Sequence, residues 1–180
     1  MITRREFVCG VSCATIAGNL IGQETGDSKN ENLVAPCGLY CGACSAYLTT
    51  QEIRVGTGKA KAGIGMQCDG CLGGGRTPAH VPKCAIRECS EAKTKSRRCS
   101  ECADFPCSRI TDFNNDGMQH HSEVLTNLRQ LRTMGIKDWT KYEEDRWSCP
   151  KCRTKLSWYD VECPECKTSR SERLFPLKKA

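Results

Sequence analysis

WSCPKCRTKLSWYDVECPECKTS, Trp147–Ser169, holds four cysteines spaced C-x2-C-x10-C-x2-C with a proline inside each pair. Two cysteines three residues apart bring their sulfurs to one point from a single tight turn, so two such turns can clamp one tetrahedral ion. The spacing is that of a zinc ribbon, with Cys149, Cys152, Cys163 and Cys166 as ligands between short strands. Many ribbons place Gly directly after the second and fourth cysteines, where Arg153 and Lys167 stand here, which predicts slightly strained turns.

Three further C-x2-C pairs lie upstream: Cys41/Cys44, Cys68/Cys71 and Cys99/Cys102. The chain has 16 cysteines in 180 residues but is only 38 % hydrophobic and 6 % aromatic, so an apolar core alone is a weak source of stability. Disulfide frameworks rarely repeat one pair spacing so regularly, and metal is the expected staple. The formal charge of +6 suggests a polyanionic partner until the metal is counted. Three zinc sites of four thiolates add −12 and +6, which brings +6 to 0. Nucleic acid is therefore an unlikely partner on charge grounds, although Lys151, Arg153, Lys155, Lys167 and Arg170 would supply phosphate contacts.

The start of the chain, Thr3-Arg4-Arg5-Glu6-Phe7 and the apolar run after it, resembles a twin-arginine export signal, with Val8 where Leu is common and Asn19 interrupting the run. Thr15-Ile16-Ala17 is an acceptable small-x-small cleavage site. The run from Phe7 to Ile21 is shorter than the roughly 20 residues a membrane span needs, so no span is expected in the mature chain. The expectation is export to the periplasm or beyond, with a cytoplasmic protein as the alternative. Export by this route suits a protein folded around metal before it meets an oxidising compartment.

Ten cysteines crowd the segment from Leu33 to Phe113: Cys37, Cys41, Cys44, Cys68, Cys71, Cys84, Cys89, Cys99, Cys102 and Cys107. They suffice for two sites of four with two thiols over. The first site is expected from Cys41/Cys44 and Cys68/Cys71 with Cys37 competing, the second from Cys84, Cys89, Cys99, Cys102 and Cys107. PCGLYCGAC, with its C-x3-C-x2-C spacing, also matches the cluster motif of radical enzymes that use S-adenosylmethionine, but no alternating strands and helices follow to build their scaffold. A plain iron–sulfur cluster on Cys37, Cys41 and Cys44 is the alternative to zinc, since four cysteines serve both metals. A third reading leaves Cys99/Cys102 metal-free as a redox couple among Arg97, Arg98 and Arg109, whose cations would lower a thiol pKa.

Short helical signals cover Ser45–Ile53 and Ala79–Lys95, with Pro82 suited to a first turn, and RVGTGKAKAGIG (54–65) lacks the phosphate-loop pattern and reads as a connection. HHSEVLTNLRQLRTMG is the clearest helix: Ser122 is its expected cap, Val124, Leu125, Leu128, Leu131 and Met134 its apolar stripe, and Gly135 its end. His120 and His121 are expected to sit exposed at its start. A second short helix begins near Asp138, and Trp139, Tyr142 and Trp147 are expected to cover the junction to the last module.

Taken together, APCGLYCGACSAY, CDGC, CAIREC, CSECADFPC, NLRQLRTMGIKDW and the terminal cysteine pairs resemble a cysteine-rich prokaryotic family catalogued as domain of unknown function 3795, from about Leu33 to Lys167. The resemblance implies metal binding through the cysteines and brings no reaction with it.

The predicted fold is a small α+β, metal-stabilised cysteine-rich domain with short helices, plus a C-terminal zinc ribbon. Its parts are a signal over 1–22, a linker over 23–32, a cysteine-rich core over 33–113, a helical connector over 114–147, the ribbon over 148–169 and a tail over 170–180. With three histidines, no Gly-x-Ser-x-Gly and no obvious carboxylate pair, acid–base and acyl-transfer enzymes have no visible machinery. The expected role is binding a protein partner.

Overall fold

The computed structural model describes residues 31–54, 67–78 and 80–178. The expected export signal, most of the linker and the connection over 55–66 lie outside them. No helix among the described residues is long and apolar enough to cross a membrane.

Among the described residues four α-helices carry the fold: α1 (Ser45–Arg54), α2 (Ala85–Lys93), α3 (Ser108–Asn114) and α4 (Val124–Arg146). Three-residue 3-10 turns sit at Cys41–Ala43 and Cys99–Glu101, and a longer one at Gln119–Glu123 leads into α4. Strand pairing among the described residues amounts to three isolated antiparallel bridges, Val34 with Tyr40, Ser148 with Lys155 and Glu162 with Ser169. The last two are each closed by a cysteine turn, and the chain departs after a single bridge, so no ladder develops.

Helix α4 organises the core. Val124, Leu128 and Leu131 are buried along one stripe, and the left-handed backbone of Gly135 (φ 76°) breaks the helix where the sequence predicts its end. Met134 is 37 % exposed, against expectation. At 100° per residue it lies about 90° from the centre of the stripe, at its edge. Ser122 does not cap the helix either: it sits inside the preceding 3-10 turn, where its hydroxyl donates to the Gln119 carbonyl (2.6 Å). Pro82 falls in a turn before α2, whose N-terminal flank is Cys84.

Beyond the break, Trp139 and Trp147 are fully buried, whereas Tyr142 stays on the surface. Trp139 meets Tyr40 edge-on (centroids 6.1 Å apart), which joins the far half of α4 to the first cysteine turn. The near half is joined by Asn127, whose amide donates to the Gly38 carbonyl (3.0 Å). Gly38 has φ 84°, and a Cβ there would lie 2.8 Å from Leu128 Cγ, so this approach requires glycine.

The C-terminal residues pack on the same core through Trp147, Leu156, Leu174 and Phe175. The Trp158 amide donates to the Ala43 carbonyl (3.0 Å), tying the last module to the turn that holds Cys41.

Candidate metal centres

The two C-terminal turns are near copies of each other, CPKCRT and CPECKT. In the first, the Cys149 amide donates to Thr154 O (2.8 Å) and the Arg153 amide to Cys149 O (2.9 Å). In the second, the Cys163 amide donates to Thr168 O (2.8 Å) and the Lys167 amide to Cys163 O (3.1 Å). Closing the turn this way puts Arg153 at φ 61° and Lys167 at φ 60°, left-handed backbone that costs a non-glycine residue about 1–2 kcal/mol. The strain predicted from sequence is thus present. Lys167→Gly is expected to stabilise the protein by about 1 kcal/mol, because the exposed Lys167–Glu162 ion pair (3.1 Å) that it removes contributes little. A thermal midpoint that falls in the variant would contradict this.

These turns bring four sulfurs together. Cys149, Cys152, Cys163 and Cys166 have all their Sγ atoms within 4.8 Å of one another, the one such group found among the described residues. Cys149 to Cys166 and Cys152 to Cys163 are each 3.5 Å apart. A disulfide would need a much shorter contact; four Zn–S bonds of about 2.3 Å place tetrahedral sulfurs about 3.8 Å apart, close to what is seen. The Thr154 hydroxyl and amide hold the Cys152 thiol below its ordinary pKa. The Thr168 hydroxyl and amide bring Cys166 down to about 6. Both favour the thiolate that a metal requires, and the threonines are a contribution the spacing of cysteines does not announce.

Three of the basic residues here, Arg153, Lys155 and Arg170, are engaged within the chain. Arg153 pairs with Asp145 (2.8 Å) and Lys155 with Glu144 (2.7 Å). Arg170 donates to Asp160 O (2.8 Å), and its guanidinium lies over the Trp147 and Phe175 rings.

The ten upstream cysteines divide between two cavities. Cys37, Cys41, Cys44, Cys68, Cys71 and Cys84 line a space of about 590 Å³, and Cys89, Cys99, Cys102 and Cys107 line one of about 30 Å³. Around the larger space the four cysteines of the expected first site are neighbours, but their sulfurs are not gathered as those of the C-terminal quartet are. The Cys41 and Cys71 thiols are hydrogen-bonded to each other, which holds Cys41 up and Cys71 down, and Cys44 and Cys68 lie in each other's field. Burial raises Cys37, whose sulfur feels Cys71 first and then Cys84 and Cys99. Residues 33–112 match the model of a protein family of unknown function, DUF3795. The match takes in all ten of these cysteines and stops short of the C-terminal quartet. No curated protein and no solved structure matches the chain.

Two sequence expectations are corrected here. His120 is not exposed: it is buried, stacked on Trp158 (centroids 4.2 Å apart, 15° between planes), with Nδ1 2.6 Å from Tyr159 Oη. The 3-10 turn at Gln119–Glu123 swings it inward onto the wall of the larger cavity. Burial, with the nearby His121 adding to it, brings its pKa down to about 4. Because the folded value lies below the ordinary 6.5, the stability tied to neutral His120 is present above that pH and is lost as pH falls toward 4. An NMR titration of the ring is expected to show it neutral at pH 5; a midpoint near 6.5 would contradict the buried stack.

The second correction concerns Cys99/Cys102 as an activated redox couple. Burial pushes Cys99 up to about 12, with Cys107 and Cys102 adding to it. Arg98 donates to the Ser96 and Glu31 carbonyls (3.0 and 2.7 Å), and Arg109 donates to the Ala85 carbonyl (2.6 Å) at the edge of the cavity that these thiols line.

Proposed function

We propose that the protein is an exported, zinc-structured module that works by binding another protein, its C-terminal turns forming a zinc ribbon. The observation that carries the reading is the C-terminal quartet, with four sulfurs at tetrahedral spacing on two matching turns. A closed set of four protein ligands leaves no open position for a substrate, which is the pattern of a structural ion rather than a catalytic one. The twin-arginine-like start supports export. Engagement of Arg153, Lys155 and Arg170 within the chain argues against a nucleic-acid partner. Val161 (68 %), Met118 (49 %) and Tyr159 (45 %) are the large apolar side chains most open to a protein.

A second reading, an iron–sulfur redox protein, is favoured by the larger cavity. Six thiols that include Cys37, Cys41 and Cys44 surround a space far too large for one ion, and clusters also take four cysteine ligands. The deciding experiment is elemental analysis for zinc, iron and acid-labile sulfide on protein purified without oxygen, with its visible spectrum. Colourless protein carrying zinc supports the first reading. A brown sample with iron and sulfide supports the second, and protein without metal overturns both.

A further inference from the structure

We propose that Cys89, Cys99, Cys102 and Cys107 form a second single-ion thiolate centre, which takes a divalent tetrahedral cation such as zinc, and that Cys84 takes no part in it. The inference rests on the reading that this protein's thiols hold metal, and it assigns which of them share an ion.

Helix α2 supplies the division. Cys84 flanks its start and Cys89 is its fifth residue, so at 100° per residue the two point about 140° apart around the axis. Ile86, between them, touches both cavities. Cys84 therefore lines the larger space and Cys89 the smaller, with Ile86 of the same helix between them.

The smaller cavity has the size and lining of an ion site. Its volume of about 30 Å³ is small beside the 590 Å³ of the larger space. Apart from the thiols, Ile86, Phe105 and Ile110 form much of the wall. The polar lining beside the thiols is Ser90, Lys93, Asp104 and Arg109, and four thiols facing so small a space suit a thiophilic cation. Cys99 and Cys102 bracket a 3-10 turn closed by the Cys102 amide on Cys99 O (3.2 Å). The same turn occurs at Cys41–Cys44, where the closing bond is 2.9 Å.

The surroundings fit the charge of such a site. Four thiolates and a divalent ion sum to −4 + 2 = −2. Lys93, Arg109 and Asp104 line the cavity, and Arg132 of α4 donates to the Ser100 and Cys102 carbonyls while lying 4.7 Å from the Phe105 ring. Three cations less one carboxylate give +3 − 1 = +2. Arg132 thereby fixes the turn and the chain between Cys102 and Cys107 from outside, the part an outer-shell group plays at a metal site. The sulfurs are less tightly gathered than the C-terminal quartet. Thiols that already face one space close on an ion by turning about χ1.

The test uses the full-length protein loaded with zinc. Wild-type protein is exposed briefly to N-ethylmaleimide, with and without prior chelation, and each cysteine is located by peptide mapping. Cys89, Cys99, Cys102 and Cys107 are expected to resist labelling together and to become reactive together once zinc is removed. Native mass spectrometry of Cys89→Ser/Cys107→Ser and of Cys149→Ser/Cys163→Ser is expected to show one zinc lost from each, at different sites. If the four label in zinc-loaded protein while the C-terminal quartet stays protected, this inference fails and the ribbon reading stands. If the quartet labels as well, the zinc reading itself fails. Full zinc content in Cys89→Ser/Cys107→Ser also overturns the inference, without any need for alkylation.

Discussion

Cys163→Ser is expected to remove one ion per chain and to unravel the C-terminal turns. Cys163 is 1 % exposed and sits in the cluster of Trp147, Leu156, Leu174 and Phe175, so a hydroxyl there meets neither a metal nor water. A structural zinc contributes on the order of 10 kcal/mol of folding free energy to a small module. Little regular pairing stands ready to replace it, because the backbone pairing in these turns is limited to two isolated bridges among the described residues. Native mass spectrometry should show the missing ion, and tryptophan fluorescence should shift to the red as Trp147 and Trp158 become wet. Unchanged metal content together with unchanged fluorescence would overturn the assignment.

The second large effect is expected at a site with no metal. Glu143 is completely buried on α4, its carboxylate held by Arg146 (3.1 and 3.2 Å) and by the Trp147 indole N–H (2.9 Å). Arg146, itself 7 % exposed, also pairs with Glu123 and donates to the Arg173 carbonyl (2.9 Å). Burial raises the Glu143 pKa, and Arg146 opposes the shift. Arg146→Leu keeps the volume but leaves a buried carboxylate without its counter-ion, an uncompensated charge that costs about 3–5 kcal/mol. Denaturant unfolding measures the loss directly. A change below about 1 kcal/mol would mean that Glu143 is held by its other neighbours. Glu143→Leu/Arg146→Leu, which removes both buried charges of the pair, is expected to recover part of the loss.

The two results bracket what a sequence can say about this molecule. The C-terminal quartet was legible because its geometry is local: two cysteines, a proline and a turn residue decide each half, down to the left-handed Arg153 and Lys167. The stripe of α4 was legible for the same reason, and its one error, Met134, lies at the edge where an apolar residue can face either way. For the ten upstream cysteines the sequence suggested two groups, and the cavities differ from them at Cys84 alone, which lines the larger space because it precedes α2 while Cys89 lies within that helix. His120 was read as exposed because nothing in its neighbourhood of the chain signals Trp158 and Tyr159, some forty residues on. Glu143 and Arg146 carry no mark of burial in the sequence, because Glu123 and Arg173, which Arg146 reaches, lie more than twenty residues from it in the chain.

The contact between Trp158 and Ala43 makes the C-terminal module more than an appendage. Ser157, Trp158 and Tyr159 form part of the wall of the larger cavity, beside Cys37, Cys41 and Cys44. The module therefore forms part of the cover over six thiols. If the proposed C-terminal ion holds the turns at Cys149 and Cys163, its removal is expected to expose those thiols as well. Three residues of the C-terminal module, Ser157, Trp158 and Tyr159, thus share one wall with the thiols of PCGLYCGAC, more than a hundred residues away in the chain.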